Sequence, residues 1–82
     1  MNKLLIEVYV PSISKLYDIL IPCGLKVCEL TILIAGAVEK LSDGLFAPND
    51  AVLCDGNSGA ILNINLSVED MKLQNGSRLM LI

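Results

Sequence analysis

The feature that most constrains this 82-residue chain is one stretch with a strong helical period, residues 27–41 (VCELTILIAGAVEKL). At about 100° per residue, its large apolar side chains fall in one narrow stripe, with Thr31 and Ala37 at the flanks. Every other segment has the composition of a short strand or a turn, so the sequence predicts one helix packed on one sheet. The stripe consists of Val27, Leu30, Ile34, Val38 and Leu41.

The remaining segments read as strands, because they are rich in β-branched or alternating apolar residues and are separated by turn residues. A turn over residues 11–14 (PSIS) joins the first two strands into a hairpin, and Pro22 ends the second because proline has no N–H for the ladder. Residues 65–73 have the Ser and acidic spacing of a short capped helical turn. The predicted strands are residues 4–10, 15–21, 51–54, 60–62 (the weakest) and 78–82.

This order predicts an α+β arrangement, a four- to five-stranded mixed sheet packed on the one long helix. The helix and its returns provide a crossover, so the first and last strands can lie side by side in parallel. The length fits a single domain over residues 1–82. The side chains predicted to be buried together between sheet and helix are Ile6, Val8, Ile19, Ile21, Leu30, Ile34, Val38, Leu53, Leu79 and Leu81.

The charge pattern argues against nucleic acid and membrane as ligands. The formal net charge is −3 and the six Lys and Arg residues are scattered singly, so the chain lacks the basic patch that either surface attracts. The longest apolar run, residues 32–38, is far shorter than a bilayer span. The N-terminal segment meets Glu7 early and is typical of a strand, not a signal peptide. We therefore expect a cytoplasmic protein that neither binds nucleic acid nor inserts into a membrane.

The residue types needed for catalysis do not occur together. The chain has no His and three cysteines without a CxxC pair, so a tetrahedral zinc site would lack its fourth N or S ligand. No Ser or Cys has a base partner in the sequence pattern. The turn at residues 55–59 (DGNSG) lacks the Lys of a phosphate loop and the further carboxylates of a calcium loop. The sequence predicts a protein that is not an enzyme and uses no cofactor.

The three cysteines, Cys23, Cys28 and Cys54, are predicted to be reduced and to behave as small buried apolar residues. Cys28 is expected to be the most accessible, since it lies about 100° from the apolar stripe of the helix. A Cys23–Cys28 disulfide is the alternative, which a reducing cytoplasm disfavours.

The apolar content of 54% exceeds what one small core can absorb, so some large apolar side chains must reach the surface. A contiguous patch would indicate a protein partner or a homodimer, whereas scattered exposure is ordinary. Alternation along the strands predicts one apolar patch on the open face of the sheet, made by Leu5, Leu20 and Met80, ringed by Glu7, Asp18 and Arg78, with Ile82 on the same side. Ile32 and Leu33, on the outer side of the helix, form the rival docking site.

Three passages carry a resemblance to a known family. They are the opening hairpin LLIEVYVPSISKLYDILIP, the helix KVCELTILIAGAVEKL and the ending LSVEDMKLQNGSRLMLI. In the ending, Leu66-Ser67 followed by Leu73, Asn75-Gly76 and Arg78-Leu79 is similar to the turn and final strand of the ubiquitin superfamily. The chain resembles a ubiquitin-like β-grasp protein over nearly its full length. Within that superfamily it is similar to the small bacterial YukD-type proteins (the EsaB group), which accompany type VII, WXG100-type secretion systems.

The resemblance implies a non-enzymatic adaptor or regulator of type VII secretion that acts by contact with components of the secretion machinery. Ubiquitin and the sulfur carriers end in an exposed Gly-Gly whose carboxylate is adenylated. This sequence instead ends Leu79-Met80-Leu81-Ile82, within the predicted last strand, so conjugation and sulfur transfer are not expected. The alternatives are a sulfur-carrier or modifier relative and a generic β-grasp interaction module.

Overall fold

The computed structural model describes residues 3–82. Its elements are strand β1 (Lys3–Val10), a 3-10 turn (Pro11–Ile13), strand β2 (Lys15–Pro22), helix α1 (Val27–Leu41), strand β3 (Leu53–Asp55) and strand β4 (Arg78–Leu81). The strands form one sheet in the order β2-β1-β4-β3. β1 pairs antiparallel with β2 and parallel with β4, and β3 pairs antiparallel with β4. The predicted α+β arrangement is confirmed, with the first and last strands parallel at the centre of the sheet.

The β1–β2 hairpin is closed by the 3-10 turn. Ser14 follows the turn in the left-handed region, at φ 52°, and its N–H donates to the Pro11 carbonyl at 3.1 Å. The ladder then runs from Val10 opposite Lys15 to Lys3 opposite Pro22. Pro22 is thus the last residue of β2, where its missing N–H costs no ladder bond.

The core lies between one face of the sheet and α1. All ten side chains predicted to form it are buried, which confirms the alternation inferred for the strands and the stripe inferred for the helix as far as Val38. Burying one such aliphatic side chain contributes about 1.5–3 kcal/mol, so this cluster supplies most of the driving force for folding. The cluster also contains Val10, Val27, Ala35, Phe46, Leu62 and Val68.

The start of α1 is stabilised by a distant segment in place of the usual capping side chain. The Val27 N–H donates to the Leu66 carbonyl at 2.8 Å, and the Cys28 N–H donates to the Ile64 carbonyl at 3.2 Å. The Glu29 carboxylate accepts the Lys26 N–H at 3.1 Å. These partners satisfy N–H groups that a helix leaves unbonded in its first turn, so the helix begins at the predicted residue without Ser, Thr, Asp or Asn before it.

The other end of α1 corrects the predicted stripe, because Leu41 is 57% exposed. A residue on the apolar side of a helix is buried only where another element of the fold covers it. After the last turn, Gly44 takes φ 82° and donates its N–H to the Glu39 carbonyl at 2.9 Å, which reverses the chain. The returning chain then buries Phe46, whose N–H donates to the Ser42 hydroxyl, and this end of the core is filled by Phe46 instead of Leu41.

The predicted strand at residues 60–62 is reduced to a single bridge, between Cys54 and Ile61. Two backbone bonds hold it to β3, from the Asp55 N–H to the Ala60 carbonyl and from the Leu62 N–H to the Leu53 carbonyl. The sheet of the described residues therefore has four strands.

The segment before β4 is a capped turn, as predicted. The Ser67 N–H donates to the Asp70 carboxylate at 3.1 Å, and the Asp70 N–H donates to the Ser67 hydroxyl at 3.0 Å. The Met71 N–H donates to the Ser67 carbonyl, which closes a single helical turn.

Candidate functional site: the open face of the sheet

The open face is the side of the sheet turned away from α1. Because neighbouring strands are in register, its side chains fall in rows across the strands. The first row is the Leu5–Leu20 pair, with Leu5 on β1 directly opposite Leu20 on β2. Leu5 is 47% exposed and Leu20 is 56% exposed, so this pair is open to contact.

The second row, here called the charged row, consists of Asp18 on β2, Glu7 on β1 and Arg78 on β4. Arg78 donates to one Glu7 carboxylate oxygen from Nε at 3.0 Å and from Nη2 at 2.9 Å. Asp18 lies opposite Glu7 on the other side and forms no ion pair among residues 3–82. From β2 to β4, the row therefore carries two negative side chains followed by a positive one.

The third row, here called the Tyr9 row, consists of Leu16 on β2, Tyr9 on β1 and Met80 on β4. Leu16 is 52% exposed and Tyr9 is 39% exposed, whereas Met80 is partly buried. Next to Met80 on β3 lies Cys54, which is buried.

The rows correct the predicted single patch of Leu5, Leu20 and Met80. Met80 lies beside Tyr9, which is four residues along β1 from Leu5, or about 13 Å at the rise of a strand. The charged row runs between the two apolar areas and does not ring them. The open face thus offers two separate apolar areas, the Leu5–Leu20 pair and the Tyr9 row.

A shallow groove of about 330 Å³ is lined by Tyr9, Leu16, Gly56 and Arg78. Gly56 is required there, since a Cβ on this residue would lie 2.7 Å from the Arg78 carbonyl oxygen. Its N–H donates to the same oxygen at 2.9 Å, which holds the turn after β3 against β4. The groove is therefore lined by an aromatic, an aliphatic and a basic residue together with a glycine that has no side chain.

The turn before β4 positions the charged row. The Asn75 side-chain oxygen accepts the Leu5 N–H at 2.8 Å, and the Gly76 N–H donates to the Leu5 carbonyl at 2.8 Å. The Glu7 N–H then donates to the Ser77 carbonyl at 2.9 Å. These bonds set the parallel register in which Arg78 meets Glu7.

The other predicted contact residues lie apart from these rows. Ile82 follows β4 and is 50% exposed, beyond the Tyr9 row. Ile32 and Leu33 are on the outer side of α1, 77% and 40% exposed. Ile32 and the exposed Cys28 border a second groove of about 270 Å³ between α1 and the segments around β3. The structure therefore brings only Leu5 and Leu20 of the predicted six into direct opposition.

The cysteines differ in exposure. Cys28 is exposed, as predicted, and Cys23 is partly buried, so the prediction of uniformly buried thiols holds fully only for Cys54. Each of the three is a free thiol. Among residues 3–82, no cluster of three or more Cys, Asp or Glu side chains has the spacing of a metal site.

Two carboxylates of the chain stabilise turns by accepting hydrogen bonds from the backbone. The backbone N–H of Ser58 donates to Asp55 at 2.8 Å and lowers the pKa of that carboxyl below its ordinary value. The pKa of Asp70 is lowered in the same way, first of all by the backbone N–H of Ser67. The DGNSG turn thus uses its acidic residue to bond its own backbone.

The sequence prediction named neither Tyr9 nor Leu16 as a site residue, and it missed Gly56. Alternation was enough to put the first two outside. The pairing of Tyr9 with Leu16 and the close approach of Gly56 to β4 depend on how the strands are aligned with one another, which the sequence pattern does not determine.

Solved structures match this fold over nearly the whole chain. The ubiquitin-like domain of EccD5 from Mycobacterium xenopi has a TM-score of 0.69 at 16% identity, covering 100% of this chain and 94% of that one. The fold is ubiquitin-like. The ubiquitin-like domain of Dsk2 from Plasmodium falciparum has a TM-score of 0.73 at 16% identity, with coverage of 98% and 96%.

The same ubiquitin-like fold occurs in the Mycobacterium tuberculosis type VII secretion system protein EccD1. Its ubiquitin-like domain has a TM-score of 0.66 at 14% identity and covers 100% of this chain and 99% of that one. No protein-family model matches the sequence, and no curated protein matches it. Within residues 3–82, no helix has both the length and the apolar character needed to cross a bilayer.

Proposed function

We propose that this protein is a non-enzymatic ubiquitin-like adaptor of a type VII secretion system, of the YukD or EsaB kind, that works in the cytoplasm by contact with components of the secretion machinery. The observation that carries the proposal is the likeness, end to end, to ubiquitin-like domains of the EccD1 and EccD5 proteins. A domain of the same fold and almost the same length thus already serves in such a machine.

The open face is the proposed contact surface. Leu5 and Leu20 supply one apolar area, and Met80 with Ile82 borders the other, so a partner can bury apolar surface on both sides of the charged row. The exposed Ile32 and Leu33 on α1 form the competing surface. Exposed apolar side chains of this kind on a small domain favour a binding role over a role in chemistry.

The test is capture of a defined partner in the source bacterium. We expect the tagged protein, after in-cell crosslinking, to enrich the secretion ATPase or membrane components of a type VII system, and deletion of its gene to lower export of WXG100 proteins. Enrichment of unrelated proteins only, or unchanged export in the deletion strain, would contradict the proposal.

Single Asp substitutions locate the surface. Leu20→Asp and Met80→Asp each remove one apolar area of the open face, and Ile32→Asp removes the rival surface on α1. Leu45→Asp is the matched control, because Leu45 is 71% exposed and lies in the loop after the helix. Loss of capture in the first two variants, with circular dichroism unchanged, supports the open face. Loss only in Ile32→Asp moves the site to the helix.

Intact-mass measurement of the protein from its own cytoplasm separates the adaptor from the carrier alternative. An adaptor keeps an unmodified mass. A covalent adduct or thiocarboxylate on the native product would replace the proposal with conjugation or sulfur transfer.

A further inference from the structure

Strand β2 forms one edge of the sheet. The hydrogen bonds of its neighbour β1 show which backbone groups of β2 are free. The Glu7 N–H and the Leu5 carbonyl form hydrogen bonds with the segment that leads into β4. The odd-numbered residues of β1 therefore turn their backbone N–H and C=O groups toward β4. Its even-numbered residues consequently bond β2, where their partners are odd-numbered. The N–H and C=O groups of Leu16, Asp18 and Leu20 therefore project from the edge.

These groups have no backbone partner within residues 3–82. The edge is eight residues long, and a free edge of this length is a template for another strand unless charge, proline or a bulge protects it. Here Pro22 blocks only the last position, and Asp18 is the one charged residue in the interior of the edge.

The side chains of the same three residues lie on the open face. Leu16 and Leu20 are both more than half exposed, and Asp18 lies exposed between them. An added strand that bonds these three residues would place its own alternate side chains directly beside an aliphatic, an acidic and an aliphatic group.

The charged row indicates what should face Asp18. Like charges directly opposite each other in a sheet are destabilising, and Asp18 lies opposite Glu7. Glu7 is neutralised on its other side by Arg78, whereas Asp18 has no cation among residues 3–82. A cation on the outer side of Asp18 would complete a row of two ion pairs.

We propose that the free edge of β2 binds an extended peptide by antiparallel strand addition, and that the peptide carries an apolar–x–basic–x–apolar pattern. Backbone bonds to Leu16, Asp18 and Leu20 supply affinity, and the Asp18 carboxylate selects Lys or Arg at the centre. The inference deepens the proposed contact function by naming the chemical class of the partner segment.

A second copy of this chain is a poorer occupant of the edge. Centred antiparallel pairing of two β2 strands would put Asp18 directly opposite Asp18 of the other copy, with no cation between them. Shifting the pairing by two residues toward the strand end sets Leu16 against Pro22, which cannot donate a hydrogen bond.

The test uses a synthetic probe, the peptide acetyl-Thr-Leu-Thr-Lys-Thr-Leu-Thr-amide, added to the full chain. In the free protein we expect the amides of Leu16, Asp18 and Leu20 to exchange with solvent quickly and those of Tyr17, Ile19 and Ile21 slowly. Saturating peptide should slow the first three and leave the second three unchanged. Exchange at Leu16, Asp18 and Leu20 that the peptide does not slow would overturn the proposal.

Two matched peptides and two variants test the recognition. A peptide N-methylated at its Lys and both Leu residues should not bind, and a peptide with Glu at the centre should bind about tenfold more weakly. Asp18→Lys should reverse that preference. Glu39→Lys, the same charge change on the outer side of α1, should not. Equal affinity for the Lys and Glu peptides, or binding that survives N-methylation, would contradict strand addition with charge selection.

Two further results distinguish a peptide from a second copy of the chain at the β2 edge, and this inference from the proposed secretion function. A dimer of the protein alone, with Leu16, Asp18 and Leu20 already protected from exchange, would make a second copy the occupant and overturn the peptide proposal. Failed peptide binding with intact capture of secretion components removes only this inference. Peptide binding without such capture upholds the inference and removes the proposed secretion function.

Discussion

The Arg78 guanidinium donates two hydrogen bonds to one Glu7 carboxylate oxygen, at 3.0 Å and 2.9 Å, and so links β4 to β1, its neighbour in the sheet. Both side chains remain in contact with solvent, with 49% and 33% of their surfaces exposed. Water and salt screen such a pair, so its contribution to folding is limited to about 0.2–1 kcal/mol.

A double-mutant cycle with Glu7→Gln and Arg78→Gln measures that contribution. We expect the coupling free energy from urea unfolding to be below about 1 kcal/mol and to shrink further in 1 M NaCl. A coupling above about 2 kcal/mol that is insensitive to salt would mean that the pair is desolvated in solution.

The helix register is tested by two isoleucines of opposite exposure. Ile34→Ala removes a fully buried side chain and should lower the free energy of unfolding by about 2–5 kcal/mol. Ile32→Ala, at a residue that is 77% exposed, should change it by less than about 0.5 kcal/mol. Chemical denaturation of both variants decides this, and a similar loss in the two would show that the buried face of α1 is wrongly assigned.

The same Gly→Ala change should have opposite effects at two glycines. At Gly56 the new Cβ would meet the Arg78 backbone, so we expect a loss of about 1–3 kcal/mol. At Gly36, inside α1, nothing lies within 4 Å of the new Cβ, and alanine should stabilise the helix by about 1 kcal/mol. Thermal unfolding gives both signs, and a stabilising Gly56→Ala would contradict the contact with β4.

Acid should weaken the fold through the turn at Asp70. Its pKa is lower in the folded protein than its ordinary value of 3.8, chiefly because the Ser67 backbone N–H donates to the carboxylate. The carboxylate therefore stabilises the fold above pH 3.8, and this contribution is lost as the pH falls through the folded-state pKa.

Asp70→Asn keeps an oxygen acceptor and removes the titration. We expect this variant to lose less stability than the parent between about pH 5 and about pH 2, measured by urea unfolding at each pH. Glu69→Gln, which removes the neighbouring carboxylate, is the matched control. Identical pH profiles for the parent and Asp70→Asn would remove the assigned role of this carboxylate.

Thiol reactivity should follow the exposure of the three cysteines. Without reductant, the native protein should titrate as three free thiols, with Cys28 reacting first and Cys54 reacting only as the protein unfolds. Cys28→Ser should abolish the fast phase alone. Recovery of a single thiol would establish a disulfide instead.

Local pattern was sufficient for the opening hairpin, the helix and the last strand, and for most of their inner faces. Side chains alternate across a strand and repeat every 3.6 residues along a helix, so the buried state of Ile6, Ile19 and Ile34 followed from spacing. The end of α1 was also predictable, because its period stops before a Ser-Asp-Gly turn, whereas the sequence offered no capping residue to fix its start. Pattern could not show that Leu41 lies beyond the cover of the sheet or that Phe46 closes that end of the core.

Tertiary structure decided everything that depends on which residues meet across elements. The hairpin register sets Glu7 against Asp18, and the parallel register sets Glu7 against Arg78, so a charged row divides an apolar face that alternation alone predicted as continuous. At the start of α1, the Leu66 and Ile64 carbonyls accept the Val27 and Cys28 N–H groups from nearly forty residues away and so replace a capping side chain. Periodicity within one segment specifies which way a side chain points, whereas its neighbours are set by pairing between segments, through hydrogen bonds that no single segment contains.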